Sequence, residues 1–185
     1  MTSDATRLVT RAAHFAAQRH ADQRRKGRRR EPYFNHLAEV AELLSEAIDG
    51  EDAALVAAGF LHDTIEDTQT SLEELRSSFG EDIASLVMEV TDDKSLPKME
   101  RKRLQVVNAA KKSRRAKLLK LADATSNVRS LAADPPADWD TDRVLEYIVW
   151  AEQVISHCRG LNPKLEHVFD AAVRGARAAV LSHVA

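Results

Sequence analysis

Apolar residues recur along this chain at three- and four-residue intervals, and no alternating run of useful length interrupts that period. Leu8, Ala12, Phe15 and Ala16 form a first stripe, and Leu37, Val40, Ala41, Leu44 and Ile48 a second. Asn35 stands where it could cap the second helix, and Asp49-Gly50 breaks it. From Ala53 to about Asp67 the chain is apolar on most sides, which predicts a central helix. Ser71 with Glu74 reads as a capping box, and Gly80 closes the short helix that follows. Ile83, Leu86, Val87 and Val90 mark another helix, then Thr91 to Pro97 a loop, with Pro97 where a helix can begin. Leu118, Leu121, Ala122, Thr125 and Val128 stripe a later helix. The two prolines in Asp134–Asp138 give the strongest linker signal. Val144, Ile148, Ala151 and Ile155 precede a last stripe, Leu165, Val168, Phe169, Ala172 and Val173, which Asn162-Pro163 opens. The expectation is an all-α bundle of eight to ten helices.

Composition narrows the class. The 185 residues suit one domain, and 44% hydrophobic residues argue against disorder. A net charge of −2 gives no global case for nucleic acid or membrane. The single cysteine, Cys158, cannot form an internal disulfide, which fits a reducing compartment. Met1 to Gln18 has no apolar signal-peptide core, and no stretch is apolar for long enough to cross a bilayer. Cytoplasmic placement is the expectation.

Phe60-Leu-His-Asp-Thr-Ile-Glu-Asp-Thr68 carries the chemistry. His62 and Asp63 interrupt an apolar helix. If that helix continues, Glu66 lies one turn beyond His62 and Asp67 one turn beyond Asp63. A bare His-Asp pair usually opens a solvated helix end. The apolar run leading into this one argues otherwise, because buried ionisable groups need a cation, a ligand or water. Two further candidates match it. His36 begins a helix in Tyr33-Phe-Asn-His36, and Asp123 sits among apolar neighbours in Lys120-Leu-Ala-Asp123, with Asn127 one turn later. His36, His62, Asp63 and Asp123 together supply two imidazoles and two carboxylates, a set suited to Mn²⁺ or another borderline divalent ion. The ligand set alone also admits Fe²⁺, Zn²⁺ or Co²⁺.

The order His…His-Asp…Asp resembles the HD phosphohydrolase superfamily. The flanking text is more specific: Gln23-Arg-Arg-Lys26, Pro32-Tyr-Phe-Asn-His36, Leu61–Thr68, Phe79-Gly80, Glu89–Lys94, Leu96–Arg103 and Lys120–Asp123 resemble the hydrolase domain of RelA/SpoT proteins. The nearest likeness is to the stand-alone small alarmone hydrolases of metazoan type. It runs from about residue 5 to about residue 175. It implies one HD phosphohydrolase domain over residues 1–185, with a metal core at about 30–130 and C-terminal helices at about 139–185. It also implies one Mn²⁺ on His36, His62, Asp63 and Asp123, with Glu66 and Asp67 as catalytic carboxylates. Arg25, Lys26, Lys98 and Arg143 then answer to phosphate contacts, Asn127 to a ribose contact and Tyr147 to a nucleoside contact. The implied reaction is Mn²⁺-dependent removal of the 3′-diphosphate of ppGpp or pppGpp in the stringent response, leaving GDP or GTP and pyrophosphate. The expected partner is a small-molecule nucleotide, with neither nucleic acid nor membrane, and a homodimer is left open.

Two features stand apart from that family. Leu37 follows His36 where a proline is usual, and Ala124-Thr-Ser-Asn127 replaces a lysine and a bulky residue. Arg24 to Arg30 holds six Lys/Arg in seven residues, read either as a solvated loop or as phosphate-facing charge. Two alternatives follow. One is an HD phosphatase on another nucleotide, either NADPH at its 2′-phosphate or a nucleoside monophosphate. The other is a catalytically silent alarmone-binding module.

Overall fold

A computed structural model describes residues 2–182. Among the described residues it contains ten α-helices and no strand. They are α1 (Ser3–Arg19), α2 (Phe34–Ala47), α3 (Ala53–Leu61), α4 (Thr64–Asp67), α5 (Leu72–Phe79), α6 (Glu81–Val90), α7 (Lys98–Ala109), α8 (Arg114–Ala133), α9 (Thr141–Ser156) and α10 (Pro163–Ser182). The all-α expectation holds, and the count lies at the top of the expected range.

The central helix is α3, packed against α1, α2 and α6. It has no polar face: Leu55, Val56, Ala57, Ala58, Gly59 and Leu61 are all buried. Gly59 lets it approach α2. A Cβ there would meet the Ala41 Cα and the Leu44 Cδ1 at 3.0 Å. This close crossing brings the end of α3 beside the start of α2. Helix α2 also packs against α8, itself packed against α10.

Several local signals operate as expected. Asp49 and Gly50 leave α2 with φ of 50° and 69°. Ser71 Oγ accepts from the Glu74 amide at 3.1 Å, and the Asn162 side chain accepts from the Leu165 amide at 2.9 Å. Pro97 stands at the N-cap of α7.

Two expectations are corrected. Asn35 lies inside the first turn of α2, and Tyr33 occupies the N-cap with no side-chain cap bond. The Tyr33 amide donates to the Gln23 carbonyl at 3.0 Å, so entry to α2 is set by pairing with the preceding loop. The helix from Ala53 also does not run unbroken to Asp67. It ends at Leu61, turns through His62 and Asp63, and resumes as the single turn α4. The Thr64 hydroxyl donates to the Leu61 carbonyl at 2.6 Å, satisfying a helix-end carbonyl at the break.

Candidate metal centre and nucleotide cavity

The break after Leu61 aims His62 and Asp63 at residues from two other helices. His36 comes from the first turn of α2, Asp123 from the middle of α8. His62 Nε2 lies 3.1 Å from Asp63 Oδ2 and 3.8 Å from Asp123 Oδ1. His36 Nε2 lies 3.6 Å and 3.5 Å from the same two oxygens. Both histidines are buried, at 3% and 4% exposure, and neither Nε2 has a hydrogen-bond partner.

An orphaned buried nitrogen is costly unless something else occupies its lone pair. The opposite ring nitrogens say what. His62 Nδ1 lies 2.8 Å from the Gly59 carbonyl, which can only accept, so Nδ1 carries a proton. His36 Nδ1 lies 2.8 Å from Ser126 Oγ, whose own hydroxyl donates to Glu39 Oε2 at 2.7 Å. Both rings are therefore held as Nδ1–H tautomers with Nε2 lone pairs converging on two carboxylates. Two imidazoles and two carboxylates in this arrangement fit a divalent metal ion.

Charge in the metal-free centre points the same way. Burial pulls the His62 imidazole down, but the Asp63 carboxylate beside it outweighs that and lifts it to about 9. Burial raises Asp63, yet the His62 and His36 imidazoles hold it well below the usual carboxylate range. Asp123 is likewise lowered against its burial, chiefly by Lys120, whose ammonium lies 3.1 Å from Asp123 Oδ2. The centre attracts positive charge and, without metal, takes a proton instead.

Around the four side chains lies a supporting shell. The Tyr33 hydroxyl donates to Asp63 Oδ2 at 2.6 Å, and burial with that carboxylate raises its pKa. Asn127 Nδ2 donates to Asp123 Oδ1 at 2.6 Å, and Asn127 Oδ1 accepts two Arg25 bonds at 3.1 Å. Arg25, Asn127 and Asp123 thus form one chain from the basic loop to the centre.

Asp67 and Glu66 share α4. Asp67 accepts from Gln23 Nε2 at 2.9 Å and pairs with Lys94. Glu66 accepts from the Asp92 amide at 3.1 Å and lies 3.7 Å from Arg101 Nη1. Burial, above all, raises the Glu66 pKa.

A cavity of about 630 Å³ opens beside the centre. All six expected substrate contacts line it: Arg25, Lys26, Lys98, Asn127, Arg143 and Tyr147, with Asp67 and Tyr33 at the metal side. Tyr147 and Trp139 give it an aromatic wall, 5.6 Å apart centroid to centroid, and Trp150 packs against Tyr147 at 5.1 Å. The Arg143 guanidinium stacks 4.7 Å from Trp139.

Sequence reasoning missed Lys102, Ser126 and Lys120. Lys102 lines the cavity with its ammonium 4.6 Å from the Trp150 ring, and burial, aided by Lys98, lowers its pKa. Its spacing four after Lys98 was a usable signal. Lys120 stands three before Asp123 and could have been found likewise. Nothing local marks Ser126 as a partner of His36.

The HD domain family model matches residues 12–151. The chain belongs to the HD domain family. Among its relatives is the guanosine-3′,5′-bis(diphosphate) 3′-pyrophosphohydrolase MESH1 of Xenopus tropicalis, 49% identical over 173 residues, covering 91% of this chain and 96% of that protein. The Homo sapiens protein of that name is 48% identical over 166 residues, covering 90% and 92%. A solved structure described as a metazoan ortholog of SpoT that hydrolyses ppGpp superposes with a TM-score of 0.87 at 45% identity, covering 90% of this chain and 94% of that one. HD domain membership together with the His/Asp cluster makes this a divalent metal centre. No helix among the described residues is long and apolar enough to cross a membrane.

Proposed function

We propose that the chain hydrolyses the 3′-diphosphate of a guanosine 3′,5′-bis(diphosphate), ppGpp or pppGpp, to GDP or GTP and pyrophosphate, with Mn²⁺ held by His36, His62, Asp63 and Asp123. The observation that carries this reading is the convergence of two orphaned imidazole nitrogens and two carboxylates beside a cation-rich cavity. At about 630 Å³, that cavity lies within the range of small-ligand sites. The names of the Xenopus and human relatives support the choice of substrate. Residues 1–185 would act as one HD phosphohydrolase domain, with the metal core in about 30–130 and the substrate wall completed by the helices from about 139. A cytoplasmic site of action accords with a free nucleotide substrate.

When bound, the metal supplies Lewis acidity and lowers the pKa of a coordinated water. The protein's own groups do the rest. Arg25, Lys26, Lys98 and Arg143 hold the phosphates and offset the charge that develops on them. Asn127 stands at the ribose and Tyr147 at the nucleoside. Water attacks the phosphorus bonded to the ribose 3′-oxygen, the bond to that oxygen breaks, and the 3′-oxygen leaves to gain a proton. Glu66, its pKa raised by burial, takes the proton of the attacking water, and Asp67 orients that water.

The test is pyrophosphate release from ppGpp by chelator-treated protein, with and without Mn²⁺, beside Asp63→Ala. Mn²⁺-dependent release that vanishes in the variant is expected. Folded, Mn²⁺-bound protein that releases none refutes the reading, and NADPH and nucleoside monophosphates are then the next substrates to assay. Nucleotide binding without turnover would favour a silent binding module.

A further inference from the structure

The basic loop before α2 is a built element. The Arg25 amide donates to the Glu31 carbonyl at 2.9 Å, and the Arg30 amide to the Gly27 carbonyl at 3.1 Å. The Asp134 carboxylate accepts from the Arg28 and Arg29 amides, each at 3.0 Å. Only glycine fits at position 27, because a Cβ would lie 2.1 Å from Asp134 Oδ2 and 2.6 Å from the Asp134 carbonyl. One acidic side chain thus consumes its charge on backbone amides. The Arg25 guanidinium turns inward to Asn127 and that of Arg24 donates to the Ala21 and Gln23 carbonyls at 2.8 Å and 3.0 Å, while Arg28 and Arg30 are exposed.

Those groups line a second, outer cavity of about 340 Å³. It presents Arg24, Arg25, Lys26, Arg28 and Arg30 against a single carboxylate, Asp138. Among the described residues, Arg28 and Arg30 have no ion-pair partner, whereas Arg29 has Glu31 at 3.9 Å. Arg24, Arg25, Lys26 and Gly27 line both cavities, so the two are neighbours through shared walls. Asp138 in turn lies 3.6 Å from Arg143 Nη1, a cation of the inner cavity. The inner cavity mixes its cations with Asp67, Asp140, Asp142 and Glu146, while the outer one is nearly of one sign. A concave surface of one sign concentrates an oppositely charged group.

We propose that the outer cavity is an anion subsite for the terminal phosphate of a nucleotide 5′-polyphosphate chain. It makes the protein favour a 5′-triphosphate over a 5′-diphosphate. This rests on the alarmone reading for the occupant of the inner cavity, with Lys26 at the boundary. Arg28 and Arg30 lie outside the inner cavity and act on specificity alone.

The test compares KM for pppGpp and ppGpp, and equilibrium binding of GTP and GDP, in the wild type and in Arg28→Gln/Arg30→Asn. Asparagine is chosen because Arg30 has a φ of 50°, a region that asparagine tolerates. Exposed charge pairs are weak, so the expected preference for the triphosphate is about fivefold in both KM and affinity. It should collapse to about unity in the variant, with ppGpp turnover unchanged, and shrink as salt rises. Equal values for both nucleotides in the wild type, with turnover intact, overturn the subsite and leave the alarmone reading standing. A GTP preference that the variant loses, without turnover of either alarmone, supports the subsite and refutes that reading. An unchanged preference in the variant, accompanied by lost affinity for a short single-stranded RNA, overturns the proposal and assigns the loop to RNA.

Discussion

Removing one hydroxyl far from the substrate should loosen the metal. Ser126 is 1% exposed, and its Oγ joins His36 Nδ1 to Glu39, which also pairs with Arg129 at 3.0 Å. In Ser126→Ala the His36 Nδ1–H loses its acceptor inside the protein, which costs about 1–3 kcal/mol. The ring is then free to flip, which presents Cε1–H, or to change tautomer, which presents Nε2–H, and either removes the lone pair from the cation. Part of the cost falls on folding and part on metal binding. Loss of such a supporting contact typically weakens metal affinity by about 10- to 100-fold, or about 1.4–2.7 kcal/mol, of the same size as the lost hydrogen bond. The assay is Mn²⁺ competition between the chelator-treated protein and a fluorescent chelator, with melting temperature recorded with and without metal. Ser126→Thr keeps the hydroxyl and should restore affinity, since Ser126 also borders a cavity of about 220 Å³ that can take a methyl group. Affinity within twofold of wild type in Ser126→Ala would refute the reasoning, provided that His36→Ala abolishes binding under the same conditions.

Other consequences can be checked separately. In the metal-free protein the His62 pKa rises from 6.5 to about 9, so its contribution to stability is complete below about pH 6.5 and is lost as pH climbs through about 9. Metal displaces that proton, so calorimetry at pH 7.5 in buffers of different ionisation enthalpy should show proton release on Mn²⁺ binding; buffer-independent heats would contradict it. Gly27→Ala drives a Cβ into Asp134 side chain and backbone, and should cost about 1–3 kcal/mol and raise KM as the loop shifts; an unchanged melting temperature and KM would show that the loop gives way freely. Lys102→Met keeps the stem over Trp150 and removes the charge. If Lys102 holds a phosphate in ground and transition state alike, KM should rise by about tenfold with kcat unchanged, and a fall in kcat alone would place it in the chemical step.

Much of this architecture was legible in the chain because helices announce themselves locally. The apolar stripes of α2, α8 and α9, the Ser71 and Asn162 caps and the Gly80 stop are decided within a few residues of one another. His62, Asp63 and Asp123 stood out for a related reason: ionisable groups inside apolar runs need a partner whatever the fold around them, and His36 entered as a match to them. The misreadings arose where a distant or competing bond takes over. Periodicity continues through His62 and Asp63, yet the Thr64 hydroxyl claims the Leu61 carbonyl and the helix parts there. Asn35 has the chemistry of a cap, but loop pairing from Gln23 to Tyr33 starts α2 ahead of it. Ser126 was invisible because its partner lies 90 residues away, whereas Lys102 carried only its spacing from Lys98, since a charged helix face looks alike whether it meets water or a phosphate.

The break in the central helix also explains how two kinds of precision coexist. The buried centre needs ligands fixed to fractions of an ångström, and α2, α3 and α8 supply it through packed helices, with Gly59 allowing the close crossing. A nucleotide cavity must instead admit and release a charged molecule, and its cations come from the loop at Arg25 and Lys26 and from α7 and α9. Arg25, Asn127 and Asp123 join the two regions by hydrogen bonds. A change at Arg25 is therefore transmitted to one carboxylate of the centre, whereas the opposite pair, His62 and Asp63, is held by Gly59 and Tyr33. On this geometry, substitutions at Arg25 should disturb both substrate and metal, while those at Arg28 and Arg30, beyond the Asp134 anchor, should leave the metal untouched.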